Sequence, residues 1–136
     1  MITTLSYAGV GSRETPTEIL GRFYRAAEYL AKRNFVLRSG GASGADQAFE
    51  HGCDAVNGPK EIYLSWKGFE GNKSTLIVSS PKAYELASNF HPYWDNLSMG
   101  AKKLQARNSH QIMGIDLSSP VKFVLCWTKN GSGQVS

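Results

Sequence analysis

The amino-acid sequence predicts an α/β protein, a three-layer fold on a mostly parallel central sheet. Three observations carry that prediction. Short apolar runs alternate with segments of helical periodicity, in the order strand, helix, strand, helix, strand. The intervening segments are long enough for right-handed crossovers between parallel strands. Two strand-to-helix junctions are glycine-rich: Gly9-Val10-Gly11-Ser12-Arg13 and Ser39-Gly40-Gly41-Ala42-Ser43-Gly44-Ala45-Asp46.

Thr3 to Val10 read as the first strand, with Leu5, Tyr7, Ala8 and Val10 available for burial and Gly9 and Gly11 ending it. Thr15 is the expected N-cap of the next helix, Pro16 its first position and Glu18 the partner in a capping box. Ile19, Phe23, Ala26, Ala27 and Leu30 follow at helical spacing, and Lys32 and Arg33 fall in the expected last turn. Phe35-Val36-Leu37 is a short buried strand. A helix then runs from Ala45 to about Val56, with Ala48, Phe49 and Cys53 on one side, until Asn57-Gly58-Pro59 stops it. Glu61 to Leu64 is the third strand. Residues 65–82 read mostly as loop. A helix is expected from Ser79-Ser80-Pro81 to Phe90, His91-Pro92 interrupts it, and another covers Leu97 to Met113. Val121 to Trp127 is the fourth and most apolar strand, and its continuity predicts a central position. The arrangement is Rossmann-like. Residues 1–130 form one domain, and 131–136 are expected to be a flexible polar tail.

Length and charge bound the function classes. A chain of 136 residues suits one domain that needs no disulfide or metal staple. A net charge of +4 favours an anionic partner. The basic residues never run to five in a row and are interspersed with acidic ones, which argues against wrapping duplex DNA. Cys53 and Cys126 show no metal or redox spacing and are expected to be reduced and largely buried. His51, His91 and His110 likewise lack metal spacing, so neither a metal nor a cofactor is expected. The start, Met1-Ile2-Thr3-Thr4, lacks a secretory pattern, and no apolar run approaches the ~18 residues that span a bilayer. The expectation is a cytoplasmic protein with no membrane partner.

The glycine turns carry the functional reading. In an open parallel sheet, ligands bind beyond the carboxyl ends of the strands, where strand order reverses. Glycine lets backbone approach a phosphate, and the free N–H groups of a helix start attract negative charge. Hydroxyls of Ser12, Ser39 and Ser43 can add hydrogen bonds, and Arg13 and Arg38 flank the turns, where they can pair with phosphate oxygens. The bland alternative is two tight turns that simply need glycine. Neither turn is a Walker A loop, and neither has the dinucleotide pattern with its acidic ribose ligand. Asp46 has three open roles: touching a ribose or base, orienting the turn, or favouring the helix dipole. Glu14 has the same open roles, with helix entry the simpler account, and Glu14, Asp46 and Glu50 could do acid–base work although nothing in the sequence requires it. Trp66-Lys67 follow the third strand and Trp127-Thr128 the fourth, so both pairs are candidates for the rim of one cleft, with an aromatic face to stack on a base. There is no nucleophile elbow and no obvious carboxylate pair, so no catalytic residue is assigned.

Three segments together resemble a known family. They are the stretch AGVGSRETP, then LRSGGASGAD with Phe49 three residues on, then Leu104-Gln105-Ala106-Arg107-Asn108-Ser109-His110-Gln111-Ile112-Met113-Gly114. In this order they are similar to the DprA/Smf branch of the SLOG superfamily, and more narrowly to short DprA-like proteins of phages and their hosts, over nearly the whole chain. The resemblance implies a Rossmann-like fold, a nucleotide-type or single-stranded nucleic-acid ligand, and homo-oligomers. It also implies that the positions from Ser39 to Asp46 and Arg107-Asn108 contribute to the ligand cleft. Two departures matter. Relatives continue past the Cys126-Trp127-Thr128 strand into a further glycine turn, helix and strand, whereas this sequence stops at Ser136; either the protein is short or the sequence lacks its end, and a missing strand could leave an exposed edge for a second subunit to cover. The carboxyl-terminal helical module is also absent, which argues against recombination-mediator activity, and so is the PGGxGTxxE motif of the related phosphoribohydrolases.

The expected ligand-binding set is therefore Gly9, Gly11, Ser12, Arg13, Arg38, Ser39, Gly40, Gly41, Ala42, Ser43, Gly44, Asp46, Trp66, Lys67, Arg107, Asn108, Trp127 and Thr128. Three readings stay open. The first is a non-catalytic module that binds, and in a phage setting sequesters, a phosphate-bearing nucleotide or nucleotide-derived signal. The second is single-stranded DNA binding in DNA processing. The third is a nucleotide N-glycosidase or phosphoribohydrolase.

Overall fold

The structure, a computed structural model, describes residues 5–77 and 80–129. Its elements in chain order are β1 (Ser6–Gly9), α1 (Thr17–Ala31), β2 (Val36–Ser39), α2 (Ala45–Asp54), β3 (Lys60–Leu64), β4 (Leu76–Ile77), α3 (Pro81–Ser88), α4 (Met99–Met113) and β5 (Phe123–Leu125). Short 3-10 turns occupy Phe69–Gly71 and Trp94–Asn96. The five strands form one parallel sheet in the order β4-β3-β2-β1-β5. The α/β, Rossmann-like three-layer fold is therefore as expected.

Side-chain alternation along the strands makes the layers. Ile62 and Leu64 of β3 join Tyr7, Leu37 and Phe49 in the core beneath α1 and α2, while Tyr63 between them packs with Ala83, Ala106 and Leu117 beneath α3 and α4. The first core is aromatic: Phe23 stacks on Phe49 at 4.3 Å between ring centres, and Tyr7 on Phe123 at 5.5 Å. Phe49 is wholly enclosed, and truncating such a ring costs roughly 3–5 kcal/mol.

The sheet order sets the position of the site. From β1 the chain steps outward through β2 and β3 to β4, then returns to add β5 on the opposite side of β1. The direction of winding thus reverses at β1, and a crevice opens beyond its carboxyl end.

Several expectations are corrected. Thr15 does not cap α1. It is buried, and its Oγ1 donates to the Ser12 carbonyl (2.6 Å), closing the turn instead. The cap position is Pro16, without a side-chain hydrogen bond, and Lys32 and Arg33 lie past the helix end. The 65–82 segment contains β4, whose short pairing to β3 (Tyr63↔Leu76) leaves little periodicity to read. The helix expected from Leu97 begins at Met99, because the Ser98 hydroxyl accepts the Ala101 N–H (3.1 Å) as an N-cap. The most apolar strand, β5, is not central. It pairs with β1 alone among the described residues, and Val124 on it is exposed. Its apolar character is spent on one face, where Phe123 meets Tyr7 and Phe35. The expected tail at 131–136 lies outside the described residues. No helix among them is long and apolar enough to cross a membrane.

Candidate functional site

The two glycine turns face each other at the carboxyl ends of β1 and β2. Gly44 takes φ +89, a conformation costly to side-chain-bearing residues, and a Cβ there would stand 2.9 Å from the Arg13 Cα. The second turn therefore packs directly against the first.

Helix α4 closes the arrangement from above. Arg107, only 6% exposed, donates through Nη1 to the Gly40 carbonyl and through Nε to Asn108 Oδ1 (3.1 Å). With its amide oriented to satisfy both partners, Gln111 Oε1 accepts from Arg107 Nε (3.1 Å) and from the Gly40 N–H (3.0 Å). A Cβ at Gly40 would lie 2.6 Å from Arg107 Cζ. The glycine at this position makes room for the chain's own guanidinium, which clamps β2 to α4 across 67 residues of sequence.

Beneath the clamp lies a hollow of about 420 Å³. It is lined by Gly11, Ser12, Arg13 and Glu14 of the first turn, by Ala42 and Asp46 of the second turn and the start of α2, and by Leu104, Gln105, Arg107, Asn108 and Gln111 of α4. A second hollow of about 640 Å³ adjoins it, with Val10, Gln105, Asn108 and Gln111 common to both and Phe90, His91, Tyr93, Val124 and Cys126 on its outer side.

Asp46 decides the electrostatics. It is 4% exposed, and its Oδ2 accepts the Ala42 N–H (3.2 Å). Burial pushes its pKa up to about 6, against the pull of Arg107 and of the Ala42, Gly11 and Gly40 N–H groups, which favour the ionised form. Burial in turn lowers the pKa of Arg107, while Asp46 raises it. Of the three roles open for Asp46, the geometry supports orienting the turn. Its carboxylate also modifies the expected anion cradle. Part of the backbone N–H charge of the second turn is already met by an internal anion.

The expected residues divide accordingly. Gly11, Ser12, Arg13, Ala42, Asp46, Arg107 and Asn108 come together on the smaller hollow. Gly9, Ser39, Gly40 and Gly41 are buried and do not line it, and the Ser39 hydroxyl donates to the Gly9 carbonyl (2.6 Å), tying β2 to β1. Gly44 supports the wall through Arg13, and Ser43 lies outside the lining. Arg38 does not flank the cleft. Adjacent strand residues point to opposite faces, so it is buried away from the turn, donating to the Ser119 carbonyl and pairing with Glu61 at 3.4 Å. Trp66 packs edge-on against Phe69, and neither it nor Lys67 lines either hollow of this cleft. The Trp127 backbone N would be 3.7 Å from a Cβ on Gly11, which puts it beside the turn, but neither the Trp127 side chain nor Thr128 lines the hollows. Cys53 is buried as expected. Cys126, just past the end of β5, is exposed rather than buried.

No family model, curated protein or solved structure matches the chain. The site must therefore be read from its own chemistry. Among the described residues, no cluster of three or more His, Cys, Asp or Glu side chains could hold a metal ion. Sequence reasoning did not assign Gln105 and Gln111. Their signal was visible, since Gln105, Asn108 and Gln111 recur at every third residue on one helix face, an amide stripe beside a buried arginine.

Proposed function

We propose that the chain is a non-catalytic binding module for a phosphate-bearing nucleotide or nucleotide-derived signal, of the SLOG type its motifs resemble. One observation carries the reading: the Gly11-Ser12-Arg13 turn, Asp46 and the Arg107-Asn108 pair converge on one hollow at the point where strand order reverses. Arg13 is exposed at its mouth, where its Nη2 meets Glu70 at 3.2 Å, a pairing weak enough for a phosphate to displace. The positive net charge favours such a guest. Asp46 restricts where the phosphate rests, since an ionised carboxylate repels it. The phosphate therefore sits against Gly11-Ser12-Arg13, and its arrival favours protonation of Asp46. A cytoplasmic homo-oligomer, with a second copy over the outer edge of β5, belongs to the same proposal.

Calorimetric titration with nucleoside monophosphates and with a short oligothymidylate tests it. The expected result is tight binding of a mononucleotide, weakened about tenfold in Arg13→Ala. Tight oligonucleotide binding that falls steeply with salt favours the single-stranded DNA reading instead. Absence of binding to either sinks the proposal.

A second reading draws on the Asp46 carboxyl, whose pKa of about 6 suits proton transfer near neutral pH. In it, the hollow cleaves the N-glycosidic bond of a nucleotide. Release of free base, abolished in Asp46→Asn, separates this reading from pure binding.

A further inference from the structure

The lining of the smaller hollow includes two cations, Arg13 and Arg107, and both are already engaged. Arg107 donates to the Gly40 carbonyl and to Asn108 Oδ1, and the Asp46 carboxylate attracts it. Arg13 reaches across 57 residues of sequence to Glu70, Nη2 to Oε1 at 3.2 Å. Glu70 is not part of the lining, so this pairing draws the Arg13 guanidinium toward a residue outside the hollow.

The two engagements differ in how easily they are given up. Arg107 is buried and clamps backbone, so releasing it uncovers unpaired charge inside the protein. The Arg13 and Glu70 side chains are 55% and 32% exposed, and water can take the place of either partner. The Glu70 carboxylate has no other hydrogen-bond or ion-pair partner among the described residues. Its turn is anchored beside it: Phe69 is buried in the core, with the Arg107 guanidinium 5.7 Å from its ring centre. Gly68, Glu70 and Gly71 take φ of +76, +52 and +74, so a carboxylate stands in a left-handed turn whose other positions are glycine. Glu70 is thus an exposed side chain on a fixed base, able to let go of Arg13 without moving the turn. Glu14, the remaining carboxylate of the lining besides Asp46, makes no ion pair among the described residues.

Of the two lining cations, then, Arg13 is the one a phosphate at the Gly11-Ser12-Arg13 turn can recruit, and only by taking the place of Glu70. A phosphate monoester brings close to two negative charges and three acceptor oxygens, more than one carboxylate offers a guanidinium.

We infer that Glu70 is an internal competitor for the phosphate, a carboxylate latch that holds Arg13 away from the hollow and sets how strongly a guest must bind to recruit it. The inference rests on the nucleotide-binding proposal and adds an affinity-setting residue to it.

Calorimetric titration of the full chain with AMP and with GMP, in about 0.15 M salt, tests it on the wild type, Glu70→Gln, Arg13→Ala and the double variant. Glu70→Gln keeps the shape of the side chain and is expected to bind about three- to fivefold more tightly than the wild type. In the Arg13→Ala background the same substitution is expected to change affinity by less than about 1.5-fold, because the latch acts through Arg13. Unchanged or weaker binding in Glu70→Gln overturns the inference while the phosphate site stands. An equal gain in both backgrounds also overturns it, since the effect then belongs to the general field of a nearby carboxylate. If neither nucleotide binds any of the four proteins, the latch and the nucleotide-binding proposal fail together.

Discussion

Replacing Asp46 by Asn isolates the energetic consequence of the buried carboxylate. Asp46 shifts from an ordinary 3.8 to about 6 in the folded protein. A carboxyl with a raised folded pKa holds its proton more tightly in the native state than in the unfolded chain. The stabilisation from that proton is fully present below pH 3.8 and is lost as pH rises through about 6. At 1.36 kcal/mol per unit, the ionised group costs the native state about 3 kcal/mol above that window. The attraction of Arg107 is already contained in this net figure. Asparagine keeps the shape and an acceptor for the Ala42 N–H but carries no charge. Asp46→Asn is therefore expected to be about 3 kcal/mol more stable than the wild type near pH 8, with the advantage shrinking to near zero by about pH 4. Urea denaturation of both proteins at several pH values across that range measures the difference and cancels the other titrating groups. A difference that does not change with pH, or a variant less stable near pH 8, would refute the reasoning.

Further outcomes follow from the same geometry. Arg107→Ala removes the clamp on Gly40 and strips Asp46 of its cationic neighbour, and urea denaturation is expected to show a loss of about 3–5 kcal/mol. Gly44→Ala must place a methyl 2.9 Å from the Arg13 backbone at a positive φ, so the same measurement should show a loss of about 1–3 kcal/mol. Arg13→Ala breaks a solvent-exposed pair with Glu70, so stability should stay within about 0.5 kcal/mol while nucleotide affinity drops; a large fall in melting temperature would contradict this. Thiol titration with Ellman's reagent should find Cys126 reactive in the folded protein. Cys53, buried and with its thiol pushed up to about 11, should react only after unfolding.

The fold was legible because its signals are local. Strand and helix periods alternate cleanly, and Ala45 to Asp54 and Pro81 to Ser88 begin where the turn residues indicate. What stayed hidden is relational. Arg38 and Arg107 look alike as candidate ligand arginines, yet strand alternation turns Arg38 away while helix α4 brings Arg107 onto Gly40. The continuous apolar run of β5 could not disclose its edge position, because order across a sheet is not encoded in a strand's own composition. Asp46 was correctly placed behind its turn. Whether its carboxylate faced a guest or the backbone depended on N–H directions that no residue pattern specifies. Phe90 read as the end of a helix that His91-Pro92 interrupts, and nothing in that pattern marked Phe90 and Tyr93 as exposed rings at an opening.

Arg107 joins two roles that proteins more often keep apart. One side chain holds distant parts of the backbone together and also lines the smaller hollow. Retuning recognition by altering it would loosen the scaffold, whereas Gln105 and Tyr93, which carry no such strut, are positions where preference could drift without structural penalty. Natural variation in ligand choice on this architecture is therefore expected at the rim, with the central arginine held constant.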